Sequence, residues 1–181
     1  MKNSIYGFLA LVLFLTTSCK KDLTELPPAT QTGANTFGAK VDGKLWGPAG
    51  FGVVPTAPIL QARYYGDGII IDAGNYSSSP TESEFEIYIK HLTGPGVYPL
   101  NFDTQKYPNE GGSYAYYVLR KLTPVNEWIT SSQYSGSVNI TLNDTANRII
   151  SGTFQFDAMN LYSAQQLLHV TEGRFDIKVQ Y

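Results

Sequence analysis

Ile149-Ile150-Ser151-Gly152-Thr153-Phe154-Gln155-Phe156-Asp157-Ala158 is the stretch whose reading decides the fold. Gly152, Phe154, Phe156 and Ala158 fall on one side of an extended chain, and Thr153, Gln155 and Asp157 on the other. Successive side chains of a strand point to opposite faces, so a period of two marks a half-buried strand. Across the turn Asn143–Asn147, Ser137–Leu142 repeats the pattern, with Val138, Ile140 and Leu142 inward. Downstream, Phe175, Ile177, Val179 and Tyr181 alternate with Arg174, Asp176, Lys178 and Gln180, which are expected to point out. Thr171-Glu172-Gly173 reads as the turn of a last hairpin that starts near Leu167.

The same grammar runs back through the chain. In Thr36–Trp46, Asp42-Gly43 is a two-residue hairpin signal, because a type I′ turn needs positive φ at both positions. That register pairs Val41 with Lys44 and Ala39 with Trp46, and puts Phe37, Ala39, Val41 and Trp46 on one face. Ile59–Tyr65 and Ile69–Ala73 flank Gly66-Asp67-Gly68 as a second hairpin. Phe85, Ile87 and Ile89 alternate with Glu86, Tyr88 and Lys90, and short strands follow at Val97–Leu100, Tyr114–Lys121 and Trp128–Thr130. Asn101–Ser113 is the longest irregular stretch and the candidate functional loop. Only Ser163–Leu168 hints at helix, for a turn or two. Nine or ten short strands at hairpin spacing predict an all-β fold, an antiparallel β-sandwich; a β-barrel is the alternative, since periodicity does not separate the two.

The N-terminus has a different character. Lys2 and the terminal amine precede the uncharged apolar run Ile5–Leu15, and small polar residues lead to Cys19, the single cysteine of the 181 residues. A basic start, a short apolar run and small residues at the cut are the layout of a secretory signal, and the run is too short to span a bilayer. Residues 1–18 read as that signal, 19–35 as an acylated cysteine and flexible tether rich in polar residues and proline, and 36–181 as one β-domain. One thiol cannot form an internal disulfide.

Leu15-Thr16-Thr17-Ser18-Cys19 resembles the lipobox of bacterial lipoproteins, with Thr16 where that family usually has Leu. The resemblance implies cleavage before Cys19 and a diacylglyceryl group on its sulfur; the alternative is an ordinary secretory peptide followed by a spare cysteine. Leu26–Gly38, Val41–Trp46, Ile150–Phe156 and Val170–Asp176 are similar to a family of uncharacterised lipoproteins common in Bacteroidota. That resemblance implies a small all-β domain anchored in the outer membrane, with no reaction and no catalytic residues. In such bacteria acidic residues just behind the lipidated cysteine favour display on the cell surface. Lys20-Lys21-Asp22-Leu23 supplies an incomplete set and leaves periplasmic and surface faces open.

Charge is low, with 13 basic and 15 acidic side chains. No basic patch favours nucleic acid and no polybasic run suggests headgroup binding. There is no catalytic signature: no His-Glu-x-x-His, no Gly-x-Ser-x-Gly, no glycine loop for phosphate. His91 and His169 lack a metal-ligand neighbour in sequence and read as structural, so no metal and no cofactor are expected. Glu82, Glu84 and Glu86 alternate on one strand face as a solvated edge; a glycosidase pair would need a carboxylate from another strand. Asn143–Asn147 resembles a calcium loop weakly, and Asp144-Thr145-Ala146 resembles the O-glycosylation site of the same bacteria, which makes Thr145 a candidate acceptor. Tyr64, Tyr65, Tyr114, Tyr116, Tyr117 and Trp128 exceed what a core of this size needs. Strand tyrosines more often pack in a core or pair across strands, and Tyr117 and Trp128, near the long loop, are the candidates for a ligand-binding face. The function expected is that of a lipid-anchored, non-enzymatic envelope protein that binds a glycan or an envelope partner. The alternative is a structural or assembly subunit of an outer-membrane complex.

Overall fold

The computed structural model describes residues 23–50, 58–77, 82–104, 111–120 and 126–180. The first hairpin forms as its turn residues dictate. β1 (Thr36–Val41) and β2 (Lys44–Trp46) pair through Val41↔Lys44 and Ala39↔Trp46. Asp42 and Gly43 both take positive φ, 47° and 77°. β3 (Leu60–Tyr65) and β4 (Gly68–Asn75) form the second hairpin. β5 (Glu82–Ile89), β6 (Gly96–Leu100), β7 (Tyr114–Arg120) and β8 (Asn126–Ile129) follow. β9 (Gly136–Asp144), β10 (Ile149–Asn160) and β11 (Ser163–Gln180) complete the set.

Eleven strands, against the nine or ten expected, make one sheet in the order β2-β1-β11-β3-β4-β5-β7-β8-β10-β9-β6. β11 also pairs with β10, so the seven strands from β11 round to β10 return on themselves while β1–β2 and β9–β6 continue outward. The fold is all-β and sandwich-like, and no helix occurs among the described residues. The sheet is mixed: the end of β11 runs parallel to β3 through Val179↔Ala62, and the other strand pairs are antiparallel.

Two local expectations are overturned in β11. Ser163–Leu168 is strand, because it continues the hairpin with β10 through Leu167↔Met159 and Leu168↔Ala158. Thr171-Glu172-Gly173 is a bulge inside one 18-residue strand, not the turn of a hairpin. Both neighbours skip a residue there: Gly38 faces Arg174 but Lys40 faces Thr171, and Phe154 faces Gly173 but Phe156 faces Val170. Glu172 takes the left-handed φ of 54° that accommodates the extra residue, and its carboxylate meets Lys40 Nζ at 2.6 Å.

The main core gathers Phe37, Trp46, Phe85, Tyr117, Trp128, Phe154, Phe156 and Phe175 with the inward aliphatics of nine strands. Phe85 is its hub, with ring centroids of Trp46 at 4.6 Å and Tyr117 at 4.8 Å. A second cluster, Ile70, Tyr88, Tyr114, Tyr116, Val118 and Ile129, lies on the opposite face of β4, β5, β7 and β8. These four strands are therefore buried on both faces, and the half-buried reading of β5 holds only for its inner side.

The segment expected to be a flexible tether is docked from Leu23 onward. Pro27 packs on Gly38, where a Cβ would come within 2.6 Å of its ring, and Leu23 packs on Gly47. Asp176 anchors the rest. Its carboxylate accepts from the backbone N–H groups of Thr32, Gly33 and Ala34 and from the hydroxyls of Thr30, Thr32 and Ser151. Alternation put Asp176 outward, and so it is, but residues 30–34 cover it and its exposure is 0%.

A polar cleft on the outer sheet face as the candidate functional site

Strand register builds the site. Gln61 on β3 faces Asp72 on β4, Asp72 faces Glu86 on β5, and Glu86 faces Tyr116 on β7. One row across four strands thus carries an amide, two carboxylates and a phenol. Their chain neighbours Ile71, Ala73, Phe85, Ile87 and Tyr117 belong to the main core, so the row occupies the outer face. With Arg63, Tyr76, Glu84 and Arg120 it lines a cleft of about 240 Å³.

The groups are held by one another. Gln61 Nε2 donates to Asp72 Oδ2 at 3.0 Å, and Arg63 Nη2 stands 3.7 Å from the same oxygen. Tyr114 Oη donates to Glu86 Oε1 at 2.6 Å. Arg120 grips Glu84 with both nitrogens, Nε to Oε1 at 2.8 Å and Nη2 to Oε2 at 3.2 Å. Asp72 and Glu86 stand directly opposite each other on β4 and β5. Burial pushes the Asp72 carboxyl above its ordinary value, against the opposing pull of Arg63, Gln61 and Glu86. The folded chain therefore retains a proton that the unfolded chain releases, and stability falls as pH rises from the ordinary carboxylate value through the raised one. Asp72→Asn is expected to remove that slope, so that melting temperatures measured across pH 4 to 8 decline less than in the wild type.

What the cleft offers is planar groups that donate and accept side by side, edged by two guanidiniums. Among the described residues no set of three His, Cys, Asp or Glu side chains is placed to hold a metal ion.

The residues singled out by sequence fall elsewhere. Tyr117 and Trp128, expected on a binding face, are core: 6% and 9% exposed, with ring centroids 5.9 Å apart. Both point to the inner side of their strands, where Trp46 and Phe85 await Tyr117. Glu86, expected on a solvated edge, is 3% exposed because β5 lies between β4 and β7 and is no edge. Each histidine meets an aspartate, His91 with Asp67 and His169 Nδ1 with Asp157 Oδ1 at 2.7 Å. Thr145 is exposed in the turn between β9 and β10, where Asp144 accepts from Asn147 N at 2.9 Å and Nδ2 at 2.7 Å. Cys19 and residues 105–110 of the long loop lie outside the described residues. Sequence reasoning missed Gln61, Arg63, Asp72 and Arg120. The Gly66-Asp67 turn held the signal for the first three, since its register sets Gln61 opposite Asp72.

No curated protein and no solved structure matches the chain. A family described as Domain of unknown function (DUF6252) matches residues 34–177, from the docked segment to the strand that carries Asp176. The match covers most of the 181 residues, and the chain belongs to that family.

Proposed function

We propose that this is a lipid-anchored protein of the bacterial outer membrane, acylated on Cys19, whose β-domain binds a glycan in the cleft on β3, β4, β5 and β7 and does not transform it. The observation that carries the reading is the row Gln61–Asp72–Glu86–Tyr116 flanked by Arg63 and Arg120. Neighbouring sugar hydroxyls each donate and accept, and amide, carboxyl and guanidinium planes match such pairs two bonds at a time. Two guanidiniums, Arg63 and Arg120, stand among the carboxyl groups of Asp72, Glu84 and Glu86, and burial at Asp72 favours its neutral form, which suits an uncharged sugar. Thr145 fits the same setting as an exposed acceptor for O-glycosylation. The rival reading, an assembly subunit, draws on β6: it ends the sheet and leaves Val97 68% exposed. Pro99 in that strand lacks an N–H and breaks the row of donors that a docking strand would need.

Glycan-array binding, followed by affinity electrophoresis on the sugars found, tests the proposal. Gln61→Ala and Arg120→Ala are each expected to weaken retention at least tenfold, a loss of about 1.4 kcal/mol, while melting stays within a few degrees of wild type. Retention unchanged in both variants, or no retention on any glycan, would sink it.

A further inference from the structure

The N-terminal segment meets the domain at one end, and that end carries a second cleft of about 890 Å³. Its walls are apolar, from Leu23, Pro27, Phe37, Pro48, Ile59 and Leu60. Two cations, Arg148 and Lys178, line it as well; both are exposed, and no carboxylate is among its described lining residues. An apolar trough edged by positive charge suits an amphiphile with an anionic head.

Its position identifies the source of such molecules. Asp176 pins residues 30–34, and Leu23 lies in the cleft wall, only four residues from Cys19. Four residues span at most about 14 Å. An acyl anchor on that sulfur would hold this end, and no other, beside the bilayer. We infer that the cleft docks on the membrane that holds the anchor, with Arg148 and Lys178 on anionic headgroups and the apolar walls against the upper acyl chains. The inference rests on the reading of Cys19 as acylated. β10 starts beside Arg148 and runs 12 residues away, which places the Leu161-Tyr162 tip roughly 35 Å farther out. Pro58 and Gln61 line the polar cleft while Ile59 and Leu60 line this one, so the sugars within reach are those near the membrane surface.

The test uses the full-length lipidated chain in phosphatidylglycerol vesicles containing a headgroup-attached quencher. Cys19 is the single native cysteine, so Gln180→Cys and Leu161→Cys each give one free thiol for a fluorescent probe. The probe at 180 is expected to be quenched several-fold more than the probe at 161. Arg148→Glu with Lys178→Glu should cut the difference severalfold, to what the acyl anchor alone imposes. Equal quenching at both positions, or an asymmetry untouched by the charge reversal, would overturn the docking. Intact mass reports the acyl group separately: an unmodified Cys19 defeats the anchor reading and the docking with it, whereas equal quenching on an acylated chain defeats the docking alone.

Discussion

Asp176→Ala is expected to lower the melting temperature by roughly 10 °C and to free residues 23–35 for proteolysis. The carboxylate is fully buried and accepts from three backbone N–H groups and three hydroxyls. Removing it leaves the buried Gly33 N–H and the Ser151 hydroxyl facing a methyl group. Losing one side of a buried charged network costs about 3–5 kcal/mol, and each kcal/mol moves the midpoint of a domain this size by about 2–4 °C. The pH dependence gives a second readout. Burial alone would raise this carboxyl's pKa, but the bonds from Thr30, Thr32, Ser151 and Ala34 outweigh it and hold the group well below the usual carboxylate range. A depressed pKa contributes stability that is fully present above the unfolded value near 4 and is lost as pH falls below it. The wild type should therefore lose stability between about pH 4 and 2 by an amount that Asp176→Ala no longer shows. Melts of the two proteins at pH 7 and pH 3 check both statements; an equal midpoint at pH 7 would mean that the clasp does not hold the segment.

That clasp also shows where the sequence was legible and where it was not. Asp42-Gly43 predicted its register correctly because a type I′ turn is decided by the two residues in it. The alternation in β10, the end of β11 and Val138–Ile140 of β9 likewise identified the inner face, since period two needs no knowledge of neighbours. Leu142, expected inward, instead falls opposite Ser151 on the outer face, past a bulge. Outer faces depend on what lies across them. Asp176 and Glu86 both sit where alternation says solvent, and both are buried, one under residues 30–34 and one between β4 and β7. Neither covering is local in sequence: Thr32 lies 144 residues from Asp176, and β5 meets β7 past the intervening β6. Thr171-Glu172-Gly173 failed for the same reason. A left-handed Glu172 serves a turn or a bulge equally well, and only β1 and β10 alongside make it a bulge. The two segments noted for resemblance at opposite ends of the chain, Leu26–Gly38 and Val170–Asp176, turn out to be the two halves of one contact. Their joint appearance in a sequence is a packing signature.

Phe85→Ala should be the most damaging single change in the core, costing about 4 kcal/mol, a large share of the 5–15 kcal/mol that holds a typical domain together. Phe85 is 1% exposed, and five rings surround it: Trp46, Tyr117, Phe37, Phe156 and Phe154, at centroid distances from 4.6 to 6.2 Å. Rings from β1, β2, β7 and β10 converge there, so the cavity left by alanine cannot be filled by one rotamer change. Phe85→Leu keeps most of the volume and should lose less than half as much. Denaturant unfolding followed by the fluorescence of Trp46 and Trp128 measures both variants; a loss under about 1.5 kcal/mol for Phe85→Ala would show that the site collapses. The consequence reaches the binding question. Tyr117 and Trp128 belong to the same packed group, so Trp128→Ala removes a buried indole and unsettles the core whether or not any sugar binds. Loss of glycan retention in that variant would report unfolding. Gln61 and Arg120 stand outside the aromatic cluster, and only changes there separate recognition from stability.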